Sequence, residues 1–276
     1  INGGTSFIDV TDKVSGTAIS WDGATLSGSS DIEFKVTDAA GNDGAAASQS
    51  YILDTTAPTA TISTTADIAD DVIIGPGCVI EDGVVIGAGS ILKANVYVCQ
   101  NVEIGQDNLI YQNVVLGETA QSIGEKDDNP FKLVIGNHNI IRENVTIHRG
   151  SSHGGGITTI GHHCFIMTNV HIGHDCEIDN HVILSSGVII GGHVKLHERV
   201  WLSAMVGVNP FVTVGKFVYG GALSIIAHDI PHFVKVAGSY PCKIRGFNSI
   251  GLERNGYTTE VVAAIKYAYK QLYRSK

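Results

Sequence analysis

One aliphatic residue at every sixth position constrains this chain more than any other feature. Ile68, Ile74, Ile80, Ile86, Leu92, Val98, Ile104, Ile110 and Leu116 keep that spacing without a gap. It resumes at Ile135, Ile141 and Ile147, and again from Ile160 through Ile166, Ile172, Ile178, Leu184, Ile190, Leu196, Leu202 and Val208 to Val214. A helix with a 3.6-residue period cannot hold such markers on one face, whereas short strands joined by tight turns can. Each marker points inward and its neighbours outward. The glycine that often follows it, as at Gly75, Gly87 and Gly173, is expected to permit the corner. Three hexads close a triangular coil of 18 residues, so the markers predict about seven coils stacked roughly 4.8 Å apart. The fold class read from this is mainly β, a parallel solenoid.

Two stretches break the register, 117–134 and 148–159, and insertions in a solenoid become loops on one side, often the binding side. After Val214 the repeat weakens, and the expected boundaries are a solenoid over 58–220 and an incomplete, short helical region over 221–276. In that region Thr258 is the expected helix N-cap, with Val261, Val262, Ile265, Tyr269 and Leu272 on one apolar face. Residues 1–57 alternate and are rich in Asp, Thr and Gly, which suits a partial β-sandwich-like segment.

Net charge is −9, yet residues 195–276 carry eleven basic and four acidic side chains, a balance that suits an anionic ligand or an acidic protein. No nucleic-acid partner is expected. The five scattered cysteines without a CxxC pair suggest reduced thiols, and no apolar run reaches the ~18 residues of a membrane span.

The chemistry-bearing stretch is "HIGHDC" (171–176). One coil further on, 18 residues later, Gly192 and His193 should stack on His174 and Asp175, with Asn209, Pro210 and Phe211 in the next layer. An imidazole there could act as general base, an adjacent carboxylate could orient it, and Gly192 could offer its N–H to an oxyanion. Solvent-facing decoration is the competing reading. A zinc site, as in the gamma-class carbonic anhydrases that use such solenoids, would need His171, His174 and His193 to converge at ~2.1 Å from the metal. The histidine spacing of that class is longer, and neither metal nor cofactor is expected.

The segments "IGPGCVIEDGVVIG", "IRENVTIHRG", "HGGGITTIG", "NVHIGHDC" and "GLERNGY" resemble the UDP-N-acetylglucosamine O-acyltransferases that begin lipid A biosynthesis. The resemblance runs from about residue 61 to the end. It implies a left-handed parallel β-helix that forms a cytoplasmic homotrimer with active sites between subunits. It implies His174 as general base, Asp175 as its orienter and Gly192 as oxyanion donor, with His171 and His193 lining the groove. Gln121, Asn209, Asn248 and Arg254 match substrate-contacting positions, and Ala222 matches one that sets acyl-chain length. The implied partners are acyl carrier protein and a UDP-amino sugar. "QSIG" (121–124), "NPF" (209–211) and Asn255 depart from the family pattern, leaving the base intact and altering the pocket. Residues 1–57 instead resemble a partial immunoglobulin-like repeat of bacterial surface adhesins, a compartment at odds with the rest. That leaves two further readings: another hexapeptide-repeat acyltransferase, or a non-catalytic adhesin fragment.

Overall fold

The computed structural model describes residues 14–15, 18–19, 30–35, 37, 40–45, 47–51, 58–126, 130–240 and 242–274. The chain divides into two compact units, Ile1–Ala57 and Pro58–Lys276. In the first, Ser30–Phe34 pairs antiparallel with Ala47–Tyr51, and Val14–Ser15 with Ala18–Ile19. An isolated antiparallel bridge joins Thr37 and Asp43, and most of the rest of the expected sandwich segment lies outside the described residues.

The second unit is a left-handed parallel β-helix. Its short strands, most of two residues, stack into three sheets that form the sides of the prism. Register pairs such as Ile91↔Leu109 and Ile172↔Ile190 carry the 18-residue offset. Across the first insertion the offset becomes 31, as in Ile104↔Ile135, so that loop adds 31 − 18 = 13 residues. Across the second it is 25, as in Ile147↔Ile172, an addition of 25 − 18 = 7. The markers fill the core, with Ile141, Ile147, Ile166, Ile172, Leu184 and Ile190 fully buried. Replacing Ile172 with Ala should therefore cost about 2–5 kcal/mol, because a cavity opens between rigid coils that cannot collapse into it. Chemical denaturation of the two chains measures this difference.

The corners are made differently from the sequence expectation. The residue with positive φ is the third after most markers, for instance Asn95, Asn101, Asp107 and Asn113, then Asp175, His181 and His193. Asn and Asp tolerate this left-handed conformation best among residues with a side chain. The glycine directly after the marker serves another purpose. A Cβ on Gly75 would stand 2.8 Å from the Lys93 carbonyl carbon, and one on Gly87 2.7 Å from that of Gly105. These glycines admit the backbone of the next coil.

The ladder also runs past residue 220, the expected end of the solenoid. Gly207 and Val208 pair with Ile225 and Ile226, and Tyr219 and Gly220 pair with Lys235 and Val236. Gly220 occupies a marker position, which hides the repeat. The Leu202 side chain fills the space, 2.9 Å from where a Cβ would be. Beyond it lie an antiparallel strand, Lys243–Phe247, a short helix α1 (Ser249–Arg254) that the sequence pattern did not reveal, and α2 (Thr259–Tyr273). Thr258 caps α2 by accepting the Val261 N–H. Only part of the expected apolar face is packed. Val262 is buried and Ile265 and Tyr269 lie against neighbours, while Val261 and Leu272 are exposed. No described helix is long and apolar enough to cross a membrane.

Candidate active site

His174 and Asp175 occupy one corner of the prism, at the turn that follows the strand His171–Ile172. Both insertions leave the solenoid at this same corner, after the strands Val115–Glu118 and Thr146–His148. The coil above is tied on by His193 N–H donating to the His174 carbonyl at 2.9 Å, and the next by Phe211 N–H donating to the Gly192 carbonyl at 3.0 Å.

His174 Nδ1 lies 2.8 Å from Asp175 Oδ2, and the pair keeps its other ring edge on the surface, with 17% of the His174 side chain exposed against 3% of Asp175. The positive φ of Asp175, 57°, turns its carboxylate back beneath the imidazole. The ring then reaches the next coil at Gly192. A Cβ there would lie 2.8 Å from both Cε1 and Nε2 of His174, so only glycine lets the outward nitrogen occupy this place. Among the described residues, no acceptor takes the Gly192 N–H. His193 stands edge-on to His174, with ring centroids 5.0 Å apart, and stacks on Phe211 at 4.3 Å. A groove of about 610 Å³ opens beside them, lined in part by Asp175, His193, Lys195, Phe211 and Thr213.

His171 lies on the sheet beside this corner, its Nδ1 2.9 Å from Thr146 Oγ1 and its ring edge-on to His148. Burial first, and then the neighbouring His148, hold its pKa below the ordinary histidine value, so a neutral ring is favoured. Cys176, next to the dyad, is no nucleophile: burial pushes its thiol up to about 12.

Burial is also the largest single influence on the Asp175 carboxyl, and it acts upward. The Ser151 hydroxyl, His174 and the N–H groups of Ser151 and Gly156 together outweigh it, leaving the carboxyl below the usual carboxylate value. The sign for stability follows. The unfolded pKa is about 3.9, so this contribution is complete above about pH 4 and is lost as pH falls through the lower folded value. Asp175→Asn should flatten this part of the profile, as measured by unfolding free energies on either side of that window.

Of the residues singled out in the sequence, His171, His174, Asp175, Gly192 and His193 are brought together. Asn209 is exposed on the next layer of the same corner, and Gln121 is exposed on the first insertion. Asn248 and Arg254 are elsewhere. They line a second groove, of about 580 Å³, with Arg199, Trp201, Tyr219 and Lys235 at the following corner of the coil. There the Asn248 side chain is engaged in the fold, donating to the Phe217 carbonyl at 2.8 Å and accepting the Gly251 N–H at 3.2 Å. Asn255 accepts a hydrogen bond from Arg199. Ala222 is exposed at the third corner, next to Leu223.

Among the described residues, the donors nearest to a metal site are His174, Asp175 and His193, whose ligand atoms lie within 4.8 Å of one another. The set differs from the three histidines considered in the sequence, since His171 turns to Thr146 instead. The closest pair of donors is already joined through a proton.

Two regions, 65–100 and 157–192, match the bacterial transferase hexapeptide model, and 229–276 matches the UDP-N-acetylglucosamine O-acyltransferase domain 2 model. The acyl-(acyl-carrier-protein)–UDP-N-acetylglucosamine O-acyltransferase of Stutzerimonas stutzeri is 42% identical over 217 residues, covering 79% of this chain and 83% of its own. That of Thiobacillus denitrificans is 45% identical with the same coverage. The chain belongs to the UDP-N-acetylglucosamine O-acyltransferase family. Solved structures of the family superpose closely. That of Moraxella catarrhalis has a TM-score of 0.77 at 37% identity, covering 79% of this chain and 84% of its own. That of Francisella novicida has 0.76 at 39%, covering 78% and 79%.

Sequence reasoning missed the groups that hold Asp175 in this acyltransferase fold, namely Ser151, Gly154, Gly156 and Thr158. The only signal was "GSSHGGG" in the second insertion, a run that identifies a loop without saying which way its side chains turn.

Proposed function

We propose that this chain transfers a (3-hydroxy)acyl group from acyl carrier protein to the 3-hydroxyl of UDP-N-acetylglucosamine, the first step of lipid A biosynthesis. Family membership supports the reaction, and the His174–Asp175 pair against Gly192 supports the route. His174 Nε2 takes the proton of the sugar hydroxyl as its oxygen attacks the thioester carbonyl. The imidazolium that forms is stabilised by Asp175, which also fixes the tautomer through Nδ1. The Gly192 N–H accommodates the oxyanion of the tetrahedral intermediate. The thiolate then leaves and takes the proton from His174. His171, His193, Gln121 and Asn209 line the substrate groove, and exposed Ala222 bears on acyl-chain length.

Asn248 and Arg254 complete the site from a second copy, in a homotrimer. The observation that carries this is their groove at a different corner from His174, with Arg199, Lys235 and Arg254 suited to a diphosphate. The basic C-terminal third suits an acidic carrier protein, and the reaction is a cytoplasmic one. The test incubates the full chain with UDP-N-acetylglucosamine and acyl carrier protein loaded with acyl groups of graded length, and detects the product by mass. Failure to acylate with any donor would sink the proposal.

A further inference from the structure

The Asp175 carboxylate faces two imidazoles but serves only one. Oδ2 lies 2.8 Å from His174 Nδ1 and 3.9 Å from His193 Nε2. A small rotation about the carboxylate would exchange the partners. What opposes it comes from the second insertion. Ser151, wholly buried, donates its hydroxyl to Oδ2 at 2.5 Å. Its N–H lies 3.1 Å from Oδ2 and 3.2 Å from Oδ1, and Gly156 N–H donates to Oδ1 at 3.0 Å. The Asp175 N–H is itself held by Thr158 Oγ1 at 2.8 Å. Gly154 closes over the group, since a Cβ there would stand 2.2–2.4 Å from the carboxyl atoms.

We propose that Ser151 is a positioning residue for acyl transfer, whose hydroxyl and N–H fix Oδ2 of Asp175 on His174 rather than on His193. This rests on the reading of His174 as the base. A hydrogen bond to an ionised acceptor is among the stronger ones, and Ser151 supplies two donors from one residue. Without the hydroxyl, Asp175 is shared between the two rings and His174 loses its fixed tautomer. The second insertion thereby acquires a use at this corner.

The test is a double-mutant cycle on the full chain. Ser151→Ala should lower kcat about tenfold to a hundredfold, with a smaller change in KM, and should have no further effect when His174 is already alanine. In nitrogen-15 spectra of the histidines, His174 should pass from one tautomer in the parent to a mixture in the variant. Equal losses in both backgrounds, an unchanged kcat, or an unchanged tautomer would overturn the proposal. If Ser151→Ala does not fold, Ser151→Cys, close in shape but a weak donor, is judged by the same criteria. A His174→Ala chain as active as its parent would instead refute the base reading. A dead His174→Ala chain with additive Ser151 losses would refute only the present inference.

Discussion

Replacing His174 with alanine should reduce kcat by about 10²–10⁴ and leave the solenoid folded. The imidazole is on the surface of the corner, and Ile172 and Cys176 rather than His174 fill the core beneath it. The cost therefore falls on the reaction. On the proposed route, losing the Nε2 base leaves the sugar hydroxyl to attack while still protonated. Residual turnover would come from binding and from the Gly192 N–H, neither of which the substitution removes. Steady-state rates together with the thermal midpoint decide the matter. A chain that loses its fold and its activity together, or keeps both, contradicts this account.

Gly192→Ala should be nearly as damaging, at about 10²–10³ in kcat, for a reason that residue volume alone does not convey. The added methyl would lie 2.8 Å from both Cε1 and Nε2 of His174. Contacts that short are relieved by movement. The coil cannot move, because Phe211 N–H and the flanking strands fix it from above, so the ring swings outward. That swing stretches the 2.8 Å bond to Asp175 and separates the base from the N–H that would receive the oxyanion. One methyl thus disturbs both halves of the chemistry. The effect should appear in kcat, with the unfolding midpoint close to the parent value. Unchanged turnover would mean that Gly192 is not part of the reacting surface.

How much of this was legible beforehand depends on whether a feature is periodic. Ile172 and its fellow markers set the coil, and the coil set Gly192 and His193 over His174 and Asp175, because an 18-residue offset is arithmetic. The corner chemistry was not legible in the same way. Glycine after the marker suggested backbone freedom, yet at Gly75 and Gly87 the requirement is space for the neighbouring coil. The freedom is required two residues later, where Asn, Asp and His serve and no compositional signal stands out. Ser151 was invisible because an insertion has no register, so nothing in its sequence fixes where a side chain points. Asn248 looked like a pure substrate contact, but its amide is also a structural cap. The helix α1 it caps is too short to show a period.

The separation of the proposed base from Arg254 onto two corners bears on inheritance as well as catalysis. In the proposed trimer every site borrows from two chains. A chain lacking His174 and a chain lacking Arg254 would each be silent alone. Mixed in one trimer, they would include an interface at which the intact histidine of one meets the intact arginine of the other. Two recessive lesions in the same gene would then complement each other. Recovery of activity on co-expression would reveal the shared site without any structure of the assembly.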